Sequence, residues 1–335
     1  MNTISQCVGD ANFINIRGLG FDHVHMKLES LNPAGSIKLK TAIGLVDYYE
    51  KKRQINSHSI LIESSSGNLG VALSLICAER GYPFVCVVDP NTNINNIKMM
   101  EAFGAKVITV TETDNNGGYL GTRINYIRDK LDEDDRYIWL NQYSCPANPE
   151  THAATTAKAI HRAFPRLDYL FVGAGTTGTL MGCTRYFHQY SPETRIIAVD
   201  SLGSVTFGQP PGKRFIPGLG SSQMPPIFNS AHLHDRLLVD ERAAVGMCRW
   251  LARTNGVLAG GSTGTVLAGF CSMARQLNND ATCVVISPDT GERYLDSIYN
   301  DEWVNARFDG MKAVLEDPSR VFSLLDETVI RLEGE

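Results

Sequence analysis

Three short stretches of this 335-residue chain hold side chains whose types and spacing could do chemistry. In "LNPAGSIKLKTA", Leu31 to Ala42, Asn-Pro and Ala-Gly make a turn, Ser36 is a capping residue, and Lys38 falls in the first turn of a helix. The positive end of a helix disfavours a lysine's own charge, and a neutral amine is what Schiff-base chemistry with a carbonyl needs. Taken alone, this stretch fits an exposed surface lysine better, because activated lysines are a small class. In "ESSSGNLGVAL", Glu63 to Leu73, a strand gives way to three serines, a glycine and a strongly apolar helix. Backbone N–H groups and hydroxyls there point at one spot and suit a carboxylate, and Asn68 adds a donor that plain capping does not require. A capped helix with solvated serines fits the same residues equally well.

The third stretch, "FVGAGTTGTLMG", carries a literal G-x-G-x-x-G at Gly173, Gly175 and Gly178, after an apolar run and before a helix. A dinucleotide turn also wants an acid about 20 residues on, and Asp200 at the end of "RIIAVD" supplies one. Thr176, Thr177 and Thr179 crowd hydroxyls onto the turn, however, and a terminal phosphate monoester needs many donors at once. The combination decides between the two. A lysine, a carboxylate cup with Asn68 and a threonine-rich phosphate cup describe pyridoxal 5′-phosphate.

These loops must be positioned by the elements around them. Apolar, β-branched runs such as "HSILIE", "FVCVVD", "YLFVGA", "RIIAVD" and "CVVISPD" alternate with segments of helical periodicity such as "GNLGVALSLICAERG" and "DERAAVGMCRWLART". That alternation predicts an α/β fold with parallel sheets covered by helices on both faces. Ligands then bind beyond the carboxyl ends of the strands, where loops lead into helix N-termini. The Pro/Gly-rich stretch from Phe207 to Pro226 is expected to be a long loop that shapes the substrate site.

Composition narrows the function. A net charge of −5 gives no reason to expect nucleic acid or an anionic membrane as partner. No apolar run approaches spanning length and "MNTISQCVGD" does not read as a signal peptide, so a cytoplasmic location is expected. Eight cysteines without a C-x-x-C read as free thiols. His23 with His25, and His232 with His234, are spaced H-x-H, which on a strand would put two imidazoles on one face, but no third ligand is nearby, so no metal is expected.

"NPAGSIK", "SSSGNLG", "GAGTTGT", "LAGGSTG" and "SPDTGERYLD" occur in the order seen in the cysteine synthase and cystathionine β-synthase family, which the chain resembles up to about Asp309. The resemblance implies a tryptophan synthase β-like (fold type II) architecture of two parallel-sheet α/β domains. Residues 39–143 form a smaller domain inserted into a larger one made of 1–38 and 144–335. By the same resemblance Lys38 carries the cofactor and is the catalytic base, and Asn68 bonds the cofactor's ring hydroxyl oxygen. Gly175, Thr176, Thr177, Gly178 and Thr179 cup the phosphate, and the Ser262 hydroxyl faces the pyridine nitrogen and leaves it unprotonated. Ser65, Ser66 and Gln142 match positions that hold the substrate α-carboxylate. The implied reaction is β-replacement on an activated serine.

Within that family "DNNGGYLGTRI", "VDSLGSVTFG", "RFIPGLGSS" and "GERYLDSIYNDEW" resemble the branch that makes N-(2-amino-2-carboxyethyl)-L-glutamate, a precursor of 2,3-diaminopropionate for siderophores and peptide antibiotics. There O-phospho-L-serine is the donor and the amine of L-glutamate the nucleophile. Added anions call for added cations, and Arg123, Arg214 and the hydroxyl of Tyr143 are the candidates. Gly175 is the glycine of acetylserine-using members, where a phosphoserine-using relative carries serine, so O-acetyl-L-serine also stays open as donor. A cysteine synthase acting with sulfide is the alternative. Relatives of this kind are usually homodimers acting on small amino acids. The tail after Asp309 reads as mixed helical and charged, with no assigned role.

Overall fold

The computed structural model of the chain describes residues 3–114 and 118–332, so Asn115–Gly117 of the "DNNGGYLGTRI" motif lie outside the described residues. Its strands form two sheets. The larger has the order β1 (Phe13–Asn15), β2 (Val24–Leu28), β10 (Cys283–Ser287), β7 (Tyr169–Gly173), β8 (Arg195–Ser201), β9 (Asp235–Val239) and β11 (Val329–Leu332). The smaller has the order β5 (Lys106–Thr109), β4 (Phe84–Val88), β3 (Ile60–Ser64) and β6 (Tyr137–Trp139). The smaller sheet is parallel throughout. The larger is parallel from β2 to β9 and bounded by antiparallel edges, where β1 pairs with β2 and β11 with β9.

Sequence dictates this layering. Every residue of β4 and of β10 is buried, and such continuous apolar runs belong to strands covered on both faces. In β7 and β8 the alternation is between two cores. Leu170, Val172, Ile196 and Ala198 face one cluster, whereas Phe171, Ile197 and Val199 face the other, as the two-residue period of a strand requires.

The helices, in chain order, include α1 (Lys38–Lys51), α2 (Asn68–Arg80), α3 (Ile94–Ala102), α4 (Leu120–Glu133), α5 (Ala147–His152), α6 (Lys158–Ala163), α7 (Gly178–Tyr190), α8 (Glu241–Asn255), α9 (Gly261–Ala274) and α10 (Asp301–Asn305). Helix α2 is buried at every position from Leu69 to Cys77, and its last turn reaches the surface. Helix α4 buries only Arg123 and Ile127, one turn apart on a single face. Helices α3 and α8 start at Asn93 and Asp240, whose side chains each accept a hydrogen bond from the N–H two residues on, worth about 1 kcal/mol apiece.

The sequence reading missed three strands. β1 has three residues, too few to show periodicity. β9 abuts the cap of α8, and β11 has only four residues, Val-Ile-Arg-Leu, inside the charged tail. The tail thus has a structural role, because it closes the edge of the larger sheet against β9. Among the described residues no helix is long and apolar enough to cross a membrane.

Candidate active site

The carboxyl ends of β3, β4, β6, β7 and β10 open on one cavity of about 840 Å³, the size of a cofactor or small-ligand site. Every residue nominated for a catalytic, cofactor or substrate role lines it, from Lys38, Ser65, Ser66 and Asn68 through Arg123, Gln142, Tyr143 and the 175–179 turn to Arg214 and Ser262.

Lys38 opens α1 without a side-chain cap on Ile37. The preceding turn is zipped to the strand-end of β10: the Ile37 N–H donates to the Pro288 carbonyl at 2.7 Å and the Thr290 N–H to the Gly35 carbonyl at 3.2 Å. The lysine Nζ donates to the Thr176 hydroxyl at 3.2 Å. Burial lowers its pKa to about 8, against the raising influence of the nearby Glu63 charge.

The glycine turn is shaped by close approach. A side chain at Gly173 would meet Leu219 at 2.8 Å, one at Gly175 would meet the Gly218 carbonyl oxygen at 2.7 Å, and one at Gly178 would run into Asn148. The residue that turns the backbone is Thr177, with φ of 65°, in the left-handed region. It precedes α7 without capping it, and its own hydroxyl is buried with no protein partner. The first N–H groups of α7 and this hydroxyl are therefore left for an anion. Asn148 braces the turn from α5, donating to the Gln142 carbonyl at 2.9 Å and to the Thr176 hydroxyl at 3.4 Å.

Glu63 sits beneath the serine loop, fully buried. Its Oε1 accepts from the Ser64 N–H at 2.8 Å and the Trp139 indole at 3.1 Å, and its Oε2 from the Gln142 N–H at 3.0 Å. One carboxylate thereby pins the loops after β3 and β6 together. Burial raises its pKa to about 7, with those three hydrogen bonds and Arg123 pulling the other way. Ser65 Oγ accepts from the Gly70 N–H at 3.0 Å, and Gln142 Oε1 is buried without a partner.

The cations differ in freedom. Arg123 is nearly buried, its Nη1 3.4 Å from Asp89 and its Nε without a protein partner. An arginine on the buried stripe of an otherwise half-buried or exposed helix is a signal the sequence carried. Tyr143 is half-buried, and burial raises its pKa. Arg214 donates from Nη1 to the Gly203 carbonyl and, at 3.4 Å, to the Ser221 carbonyl, so it also holds its own loop. That loop is further fixed by Glu241, which accepts from the Phe215 and Ile216 N–H groups.

Sequence reasoning missed Lys213 and Arg307 at the exposed mouth, where Lys213 lies over Phe215 (4.7 Å) and Arg307 over Trp303 of α10 (4.4 Å). Nothing in their local sequence marks them, because they meet only through the fold.

Asp200, the acid the dinucleotide reading requires, is fully buried beside Ser201 and does not line the cavity. The ribose anchor of that reading is therefore not in the site. His25 packs on Phe164 and His232 stacks on His188 at 3.7 Å. No group of three or more His, Cys, Asp or Glu side chains among the described residues is placed to hold a metal ion.

Comparisons with known proteins agree with this geometry. Residues 4–289 match the family model described as pyridoxal-phosphate dependent enzyme. The chain is 38% identical over 307 residues, 90% of each chain, to an N-(2-amino-2-carboxyethyl)-L-glutamate synthase of Ralstonia nicotianae. It is 37% identical over 320 residues to one of Cupriavidus metallidurans, covering 93% of this chain and 94% of that one. Among solved structures, that of O-ureido-L-serine synthase superposes with a TM-score of 0.83 at 30% identity, over 93% of this chain and 98% of that one.

Proposed function

The chain belongs to the pyridoxal-phosphate dependent enzymes, and we propose that it joins an O-activated L-serine to the amine of L-glutamate by β-replacement, giving N-(2-amino-2-carboxyethyl)-L-glutamate. The donor on this reading is O-phospho-L-serine or O-acetyl-L-serine.

The observation that carries the proposal is the charge of the cavity wall. Among the described residues, Lys38, Arg123, Lys213, Arg214 and Arg307 line it against a single carboxylate, Asp89, in a chain of net charge −5. A cofactor phosphate, a substrate α-carboxylate and the two carboxylates of glutamate all seek such cations. Sulfide brings no carboxylate for Lys213 and Arg307 at the mouth, whereas glutamate brings two.

The residues present fit pyridoxal 5′-phosphate. The partnerless Thr177 hydroxyl and the uncapped start of α7 suit its phosphate, the amine of Lys38 suits its aldehyde, and the Ser262 hydroxyl lines the same wall. When bound, the cofactor supplies an electron sink for negative charge at the substrate α-carbon. Lys38 would hold the cofactor and, once released, take the α-proton and later return it; a pKa of about 8 makes the amine available as a base near neutrality.

Ser65, Ser66 and Gln142 would receive the α-carboxylate, with Glu63 fixing their two loops. Arg123 and Tyr143 would face the leaving group. The C–O bond at the β-carbon breaks, the C–N bond to glutamate forms there, and the amine's surplus proton passes to solvent. Lys213 and Arg307 would hold the incoming carboxylates at the mouth. The proposal extends to a cytoplasmic homodimer, with residues 39–143 as the smaller domain, supplying 2,3-diaminopropionate for siderophore or antibiotic synthesis.

The test offers purified holoenzyme each donor with L-glutamate, and each donor with sulfide, and resolves the products by mass. A glutamate adduct is expected. Cysteine from sulfide without any adduct would overturn the proposal in favour of cysteine synthase.

A further inference from the structure

Asn68 starts α2 on the smaller sheet, yet its amide is held from the larger one. Arg293 Nη1 donates to Asn68 Oδ1, and Asn68 Nδ2 donates to Asp289 Oδ2 at 2.7 Å. Both partners come from "SPDTGERYLD", the stretch after β10, and the reaction scheme above gives them no part. They are themselves fixed. Arg293 Nη2 donates to the Ala34 carbonyl at 2.6 Å, in the turn before Lys38, and its own carbonyl accepts from Asn93 at 2.7 Å. The Tyr294 hydroxyl donates to the same Asp289 Oδ2 at 2.6 Å. Asp289, Tyr294 and Arg293 are 1%, 6% and 9% exposed, so the partners that hold Asn68 are themselves shielded from water.

Chemistry decides which way the amide faces. A guanidinium only donates, so the Asn68 atom against Arg293 must be the oxygen. The nitrogen then faces Asp289 and spends one of its two hydrogens there. One N–H is all that Asn68 has left for the cavity it lines. An unclamped asparagine could turn over and offer its oxygen instead.

We propose that Arg293 and Asp289 are positioning residues that lock Asn68 as a lone N–H donor, and that this donor selects the ionised form of the cofactor's ring hydroxyl. The inference rests on the cofactor assignment made above and on Asn68 facing that oxygen. It does not depend on which amino acids react. Releasing the clamp lets Asn68 Oδ1 accept from a protonated hydroxyl, which shifts the cofactor toward its neutral-oxygen form.

The experiment uses holoenzyme without amino-acid substrate and reads two quantities across pH. One is the ratio of the absorption bands of the ionised and protonated ring oxygen. The other is the dissociation constant of the cofactor. Arg293→Met and Asp289→Ala are expected to move the ratio toward the protonated form and to weaken cofactor retention about tenfold, the scale of one lost charge-assisted hydrogen bond. Asp289→Asn keeps an oxygen for the Asn68 N–H and should stay close to the parent.

In an Asn68→Ala background Arg293→Met should leave the band ratio unchanged, because the amide it orients is gone. Should Arg293→Met not fold, Arg293→Lys reads the same shift, since a lysine keeps the charge but lacks the fork that spans Asn68 and Ala34. An unchanged ratio and retention in the Arg293 variants, or an equal shift with Asn68 already removed, would overturn the clamp. Because no substrate is present, that failure leaves the glutamate proposal standing, and the reverse also holds.

Discussion

Lys38 Nζ donates to the hydroxyl of Thr176, 138 residues away, across 3.2 Å. This bond joins the start of α1 to the glycine turn after β7, so the amine and that turn face one space. Burial sets the amine's pKa near 8, well below the ordinary 10.5. A base with a lowered pKa is protonated below that value and neutral above it, and only the neutral amine attacks an aldehyde. The rate at which cofactor-free protein takes up pyridoxal 5′-phosphate should therefore rise through pH 8 and level off above it. Stopped-flow absorbance gives the profile. A rise delayed to the range of an ordinary lysine would refute the assigned environment, and after borohydride reduction the parent should keep a covalently bound pyridoxyl group that Lys38→Ala lacks.

Glu63 ties together the loops that carry Ser65 and Gln142. Glu63→Gln keeps one oxygen but turns an amide N–H toward the Gln142 N–H, donor against donor. The expected result is a tenfold to hundredfold loss (roughly 1.5–3 kcal/mol) in kcat/KM for the donor, carried mainly by KM. Stability supplies a second reading. The folded pKa of about 7 exceeds the ordinary 4.5, so the folded state binds the extra proton between those values and loses the associated stability as pH rises through that window. The thermal midpoint of Glu63→Gln should fall less steeply over that range than the parent's. Parallel curves would contradict the burial argument.

Gly178 has no room for a methyl group because Asn148 lies against it, fully buried and bonded to Gln142 and Thr176. Gly178→Ala should displace that brace, cost about 1–3 kcal/mol of stability and weaken cofactor binding. Calorimetry and a cofactor titration measure both. Retention of parental affinity would show that Asn148 does not brace the turn.

Lys213 and Arg307 lie at the cavity mouth, exposed and stacked on Phe215 and Trp303. Exposed charges contribute modestly, so replacing both with alanine should raise KM for L-glutamate about threefold to tenfold. The increase should shrink with added salt. Turnover with sulfide, if any occurs, should change far less. Equal effects on both nucleophiles would remove the pair from substrate recognition.

Much of the site was legible because each loop carries its chemistry in consecutive residues. Lys38 at a helix start, Asn68 after three serines, and Thr176 to Thr179 on a glycine turn can be read without knowing where the strands go. Parallel order was legible too, since β4 is an unbroken apolar run and β10 is apolar up to its last residue, Ser287. What stayed hidden depends on tertiary approach. Lys213 and Arg307 are 94 positions apart and gain meaning only at a shared mouth. Arg293 and Asp289 stood inside a quoted motif, but nothing local says that they grip Asn68 across two sheets. The literal dinucleotide pattern shows the opposite error. Its glycines are there for Leu219, Gly218 and Asn148, and its distant acid is buried away from the cavity.

The central claim, that the amine of glutamate is the nucleophile, is tested most directly by competition. Purified holoenzyme is given O-phospho-L-serine, and separately O-acetyl-L-serine, with equimolar sulfide and nitrogen-15-labelled L-glutamate, and the products are resolved by mass. The expected result is N-(2-amino-2-carboxyethyl)-L-glutamate carrying the label as the main product with at least one donor. Cysteine as the main product with both donors, and no labelled adduct, would contradict it.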